Sequence, residues 1–261
     1  MIAACRPARP GAYPADVDSE PITPSPRHAI DRVVFSQRWA QLTFLHWAVD
    51  PRRLHRHMPP GVVPDTIGGR SYVGLVPFLM RDVGVAGSRP IPYFGAFCET
   101  NVRLYSVDGR GRRGVVFVSL DASRLVPVLV ARYGPGLPYL WSRMAYRRVG
   151  DRVAYACHRR WPGPRGTASH ISVDVGAPVT AGPLEHFLTA RWGLHGTDRR
   201  GRTAFWPNAH PQWPLRAAMV HRIDDGLLGA AGFGDLAARP PDSVLFSPGV
   251  TVAFGPRRPL R

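Results

Sequence analysis

From about residue 33 onward the chain alternates short runs of β-branched and aromatic residues with breaks of glycine and proline, a pattern that encodes strands separated by turns. The pattern predicts strands over 42–49, 71–80, 97–107, 115–120, 139–149, 153–160, 168–175, 203–208, 215–223 and 250–254. Two of the breaks carry hairpin chemistry: Asp108-Gly109 with the loop to Gly114, and Gly150-Asp151 between Tyr146 and Val153. Helices are few. Asp50 can cap a short one that has Pro51 in its first turn and stops at Pro59-Pro60-Gly61, and others are expected over 122–133, 183–192 and 226–231. Strands dominate at hairpin rather than crossover spacing, so the fold class is α+β and β-rich: an antiparallel sheet or barrel with a few packed helices, whose curled interior can hold a small ligand.

Residues 1–31 carry Pro7, Pro10, Pro14, Pro21, Pro24 and Pro26 among few aliphatics, so a flexible tail is expected there, with the barrel domain over 32–261. The longest apolar run, 125–131, contains Pro127 and lies between Arg124 and Arg132, too short for a helical membrane span. Met1 to Pro10 has no apolar stretch of the kind that follows the basic start of a secretory signal, which favours a cytoplasmic location. Cys5, Cys98 and Cys157 share no C-x-x-C spacing and suit reduced thiols. His55 and His57 would point to different sides of a helix, and nothing in the spacing of Cys157, His158 and His170 requires a metal. With no Walker, dinucleotide or G-x-S-x-G motif, no cofactor and no metal are expected.

Charge changes the picture in one respect. The 34 basic residues are all arginines, so no side-chain amine is present to form a Schiff base with a carbonyl substrate. The formal charge of +16 invites a nucleic-acid reading, but the arginines are spread along the chain, with loop clusters at Arg110, Arg112 and Arg113 and at Arg199, Arg200 and Arg202. Lysine absence with heavy Ala, Gly, Pro and Arg usage reads as coding bias. A polyanion partner therefore stays the less favoured alternative.

Candidate chemistry centres on the strand over 97–107. Alternation places Phe97, Glu99, Asn101, Arg103 and Tyr105 on one face. Turned inward, an acid, an amide and a guanidinium between aromatics require compensation by pairing, which makes them a site for an oriented polar ligand. Gly134-Pro135-Gly136-Leu137-Pro138 would aim Tyr139 at a defined place, where a phenol can donate a hydrogen bond or act as acid or base. His46, beside Phe44, is a further candidate, although a lone histidine among aromatics is more often a core residue. Asp121 ends a strand just before a helix, where it can face a ligand or cap the helix, the capping role being favoured.

Taken in order, Gln37-Arg38-Trp39, Phe44-Leu45-His46-Trp47, Pro59-Pro60-Gly61, Val76-Pro77-Phe78, Glu99-Thr100-Asn101-Val102-Arg103, Phe117-Val118-Ser119-Leu120-Asp121, Gly136-Leu137-Pro138-Tyr139 and Ser247-Pro248-Gly249-Val250 resemble the YqjF-like family of uncharacterised bacterial proteins over about residues 33–256. The resemblance implies an acetoacetate decarboxylase-like fold, a curved and largely antiparallel sheet closed into a cone-like barrel around a small-molecule pocket. It also implies that Tyr139 stands where decarboxylases of that superfamily carry their Schiff-base lysine after a Gly-x-Pro turn, and that Glu99 and Arg103 match the acidic and arginine pocket residues. The expected function is a pocket for an oxo-acid or carbonyl-like molecule, as a lyase or enolising enzyme in which Glu99 and Tyr139 act as catalytic groups and Arg103, Asn101, His46 and Asp121 bind substrate. Ligand sensing without turnover and polyanion binding are the alternatives, and a homo-oligomer is left open. Fold kinship alone supplies no reaction.

Overall fold

The computed structural model describes residues 19–85, 95–198 and 200–260. These hold thirteen strands in one sheet. In chain order they are β1 (Phe35–Val49), β2 (Val62–Pro64), β3 (Ser71–Val85), β4 (Phe97–Asp108), β5 (Arg113–Ala122), β6 (Tyr139–Val149), β7 (Arg152–Trp161), β8 (Ala168–Pro178), β9 (Gly193–Thr197), β10 (Thr203–Ala209), β11 (Arg216–Asp225), β12 (Ser243–Phe254) and β13 (Arg258–Pro259). The helices are α1 (Leu125–Tyr133), α2 (Pro183–Thr189), α3 (Leu227–Ala230) and α4 (Gly234–Ala237), with a 3-10 helix over Pro51–His57 in which the Arg52 N–H donates to the Asp50 carboxylate. None of the helices is long and apolar enough to cross a membrane.

Neighbouring strands run β13-β10-β9-β5-β6-β7-β8-β11-β12-β1-β3-β4-β2, and two further pairings, β4 with β5 and β10 with β12, bring the sheet back on itself. One circuit of pairings passes through β6, β7, β8 and β11, and a second through β9 and β10. Both share β1, β3, β4, β5 and β12, so stretches of the shared strands, 42–47 of β1 and 99–108 of β4 among them, are buried on both faces. Leu45, Trp47 and Val49 of β1 enter one core with Leu75 and Leu104. Leu42 and Phe44 enter the other with Val76, Phe78 and Tyr105. Pairing is antiparallel except where β5 meets β6 and β9. The β5 to β6 connection is the crossover that a parallel pair needs, and it contains α1.

Two bulges re-aim the walls. In β1, the register against β3 shifts between Ala40 and Leu45, where Gln41 sits at φ 52, and the inward residues switch from Trp39 to Leu42 and Phe44. A Cβ on Gly249, at φ 122, would lie 2.0 Å from the Trp39 carbonyl oxygen, so only glycine fits opposite that bulge. In β5, Arg103 faces Phe117 and Val102 faces Ser119, which leaves Val118 as the extra residue.

Several expected boundaries differ. Strands β2, β9 and β13 were not expected, being too short to show a period, and form by pairing with neighbouring strands, while β1 begins at Phe35 rather than 42 and β12 at Ser243 rather than 250. α1 begins at Leu125 because Ala122 is still paired with Glu99. Of the expected tail, residues 1–18 lie outside the described residues. The part from 19 to 30 makes specific contacts: Glu20 N–H donates to Gly111 O, Trp192 Nε1 donates to Thr23 O, and Ile22 packs on the second core.

Candidate functional site

The second circuit encloses a cavity of about 470 Å³, walled by β1, β3, β4, β5 and β10 and covered by α1. Because β4 has no bulge, its alternation holds, and Phe97, Glu99, Asn101 and Arg103 all line this cavity. Tyr139 joins them. Gly136 at φ 83 turns the chain out of α1, Leu137 N–H donates to Ala131 O, and Tyr139 then pairs beside Leu120, which places its ring over β4.

Glu99 is 3% exposed, and the Tyr139 hydroxyl donates to its Oε2 at 3.0 Å. Burial pushes the Glu99 carboxyl up to about 8, so it is protonated at neutral pH. Burial first, and the neighbouring carboxyl second, hold the Tyr139 phenol well above its ordinary value. The pair is thus a neutral acid with a phenol bonded to it, a unit that can hand a proton to a carbonyl oxygen.

Arg103 is compensated differently from the expectation. Glu99 and Arg103 sit four residues apart on a strand, about 13 Å between Cα atoms at ordinary strand rise. They form no ion pair among the described residues. Instead the Arg103 Nη2 donates to Leu188 O at 2.8 Å and Tyr105 Oη at 3.2 Å, and its guanidinium lies over the Phe44 and Tyr105 rings. Its Nε is buried with no partner. A second guanidinium, Arg191, lines the same cavity. It is anchored by Asp65 and by Phe187 O, and its Nη2 is also without a partner. Trp39 Nε1, Asn101 Oδ1 and Asn208 Oδ1 complete a set of buried polar atoms around the cavity that no protein group satisfies. His210 lines it too, lowered to about 4 chiefly by burial and therefore neutral.

Two expected members are elsewhere. His46 lies behind the cavity wall, fully buried, with Nε2 2.7 Å from Tyr105 Oη. Burial first, then Arg103 and Arg191, lower its pKa well below the ordinary value, so it is a neutral prop for the Tyr105–Arg103 layer. Asp121 faces the other side of the sheet, since the Val118 bulge gives the inward position to Leu120. It caps no helix either; the N-cap of α1 is Arg124, which makes no side-chain capping bond. Arg159 grips Asp121 through Nε at 2.9 Å and Nη2 at 2.7 Å, and Ser142 donates to it at 2.7 Å. Both ions are almost wholly buried. Asp121→Ala would strand the Arg159 charge and is expected to cost about 3–5 kcal/mol in urea unfolding; a loss below about 1 kcal/mol would contradict that role.

Trp39, Arg191, Asn208 and His210 were not expected at the site. Trp39 lies before the register shift of β1 against β3, and the others sit on short strands or at element ends, where neither period nor motif marks them. A Ser106–His195–Asp108 chain, with contacts of 2.9 and 3.3 Å, has the order of a hydrolytic triad. All three side chains are buried, and Arg112 bonds to the same Asp108, so the arrangement is an internal polar network. Of the loop arginines, Arg112, Arg113 and Arg202 are ion-paired with Asp108, Asp65 and Asp198, and Arg199 lies outside the described residues.

Residues 36–251 match the DUF2071 family, described as uncharacterized conserved proteins. The chain belongs to the DUF2071 family. This DUF2071 chain is 31% identical over 188 residues to the uncharacterized protein YqjF of Bacillus subtilis (strain 168), covering 71% of its own length and 76% of the relative's. Among solved structures it is similar to an acetoacetate decarboxylase-like enzyme from Sphingomonas wittichii RW1, with a TM-score of 0.64 and 13% identity over 89% of this chain and 95% of that one. It is also similar to the enduracididine biosynthesis enzyme MppR complexed with pyruvate, with a TM-score of 0.58 and 17% identity over 90% and 93% of the two chains. At such identities the likeness shows a shared fold and no more.

Proposed function

We propose that this chain takes an organic acid bearing a carbonyl group into its interior, and that Glu99 and Tyr139 exchange a proton with it in a lyase or enolising step. One observation carries the reading: Arg103 is a guanidinium buried in an apolar-walled cavity, with an unpartnered Nε and no carboxylate partner among the described residues. A buried cation of this kind is stabilised by an anion that arrives from outside. The pyruvate complex of a protein with the same fold supports an acid as occupant. The returning sheet, which we read as a cone-like barrel, supplies the enclosure.

In the step, protonated Glu99 gives its proton to the carbonyl oxygen. In the lyase form the α-carbon loses a carboxylate as carbon dioxide, which departs without its bonding pair, and that pair becomes the double bond of an enol. The Glu99 carboxylate left behind keeps the hydrogen bond from Tyr139. No amine is needed, in keeping with a chain whose basic side chains are all arginines.

Thermal unfolding in the presence of a panel of oxo acids tests the reading. Ligand at about a hundred times its Kd adds roughly 2.7 kcal/mol, so a clear rise in Tm is expected for the wild-type chain and none for Arg103→Gln. Mass spectrometry of the same mixtures separates turnover from binding. Equal shifts in both proteins, or none in either, would count against the proposal.

A further inference from the structure

We infer that the occupant is an elongated amphipathic monocarboxylate with a sizeable apolar body, rather than an oxo acid of three or four carbons. This rests on the carboxylate reading of Arg103 and specifies its substrate class. The first observation is extent. Inward residues of β4 line the cavity from Phe97 to Arg103, six residues of strand and so about 20 Å of wall. The volume of about 470 Å³ corresponds to roughly fifteen waters at their share of the liquid, far more than a three-carbon acid displaces.

The second observation is the distribution of polarity. The two guanidiniums that line the cavity gather at one end: Arg103 bonds to Leu188 O at the end of α2, and Arg191 follows that helix. Away from that end the walls are Val76, Phe78 and Met80 of β3 with Phe117 and Leu120 of β5. Among the described residues no guanidinium lines the cavity there, so those residues offer a second carboxylate no counter-charge. Midway, the neutral Glu99–Tyr139 pair offers a single proton to an oxygen on the chain of the ligand and puts no charge in the path of its hydrocarbon.

The third observation is the cover. On α1, Val126 and Val130 line the cavity and are also 47% and 66% exposed, with Leu125 and Tyr133 exposed beside them. The cavity therefore continues into an apolar helix surface rather than ending at a polar rim, which suits a ligand whose tail trails outward under α1.

Calorimetric titration of the wild-type chain with pyruvate, hexanoate, decanoate and decanol, each below its micellar concentration, tests this, with Arg103→Met run in parallel. The expected result is affinity that rises with chain length, by as much as about fourfold per methylene buried. Decanoate should bind at least tenfold tighter than decanol, and the advantage of the acid should vanish in Arg103→Met. If pyruvate binds as tightly as decanoate, the elongated ligand is wrong while the Arg103 reading stands. If decanol matches decanoate, or Arg103→Met keeps its preference for the acid, the carboxylate reading falls. Failure of every acid to bind would overturn both.

Discussion

Replacing Arg103 with Met is expected to make the unliganded protein more stable by about 1–3 kcal/mol while lowering its affinity for carboxylates on the order of a hundredfold. Most buried arginines behave in the opposite way, because their removal strands a carboxylate. Arg103 has none. Its two acceptors are Leu188 O and Tyr105 Oη, and Tyr105 already donates to Leu188 O at 2.8 Å and lies 2.7 Å from His46 Nε2. Removing the guanidinium therefore leaves no acceptor orphaned. It also removes a like charge from the neighbourhood of Arg191, whose field and that of Arg103 act together on His46. Methionine is close to the volume of the arginine stem and can pack against Phe44 and Tyr105, the rings the guanidinium now covers. Urea unfolding of the two unliganded proteins measures the stability, and ligand titration measures the affinity. Destabilisation by a similar amount would mean that Arg103 is a structural residue, and the case for an anion in the cavity would lose its support.

A second large effect is expected in the pH dependence of stability. The folded protein holds the Glu99 proton up to a pH of about 8, against an ordinary carboxyl value of 4.5. A group whose folded pKa is raised contributes stability that is complete below the unfolded value and disappears as pH climbs through the folded one. Between pH 4.5 and 8 the wild-type chain should therefore lose stability at up to about 1.4 kcal/mol per pH unit from this group, as much as roughly 5 kcal/mol in all. Glu99→Gln is neutral at every pH and still accepts the Tyr139 hydrogen bond, so it lacks this loss; its stability should instead rise from pH 4.5 to about 6.5, because His46 and His210 stay neutral in the fold and take up protons only when unfolded. Asp108 works in the other direction. It is held below the carboxylate range by His195, Arg112 and backbone N–H groups despite its burial, and its contribution is lost only in acid. The difference between wild-type and Glu99→Gln curves thus isolates Glu99. Parallel curves between pH 5 and 8 would show that the carboxyl is ionised in the fold and is no proton donor. Turnover, where it occurs, should fall above pH 8 for the same reason.

How much of this was legible in the sequence depends on where the strands bulge. β4 runs without interruption from Phe97 to Asp108, so simple alternation names Glu99, Asn101 and Arg103 as neighbours on one inward face. Asp121, read at its strand end as a ligand group or, by preference, a helix cap, is neither, because the extra residue at Val118 in β5 turns it to the other face and a run of Val, Phe, Val, Ser and Leu gives no sign of that bulge. Alternation also passes over Trp39, which lies before the register shift of β1 against β3 where Gln41 takes a left-handed backbone. Charge compensation was harder still. Alternation indicates that an acid and a guanidinium share a face, which suggests that they pair. Strand rise separates them, and the fold resolves each alone, Glu99 by staying protonated and Arg103 by stacking on aromatic rings. Arg191 and His210 are brought to the site by tertiary structure, since neither lies in an element whose period marks an inward face.

The central claim is that a carboxylate belongs on Arg103. The most direct measurement is a crystal structure of the chain grown with decanoate, or with an oxo acid of similar length. The expected result is a carboxylate oxygen hydrogen-bonded to the Arg103 Nε, with the hydrocarbon running past Leu120 toward α1. A ligand bound the other way round, its carboxylate in solvent beyond Val130 and its tail against an unpartnered Arg103, would contradict the claim.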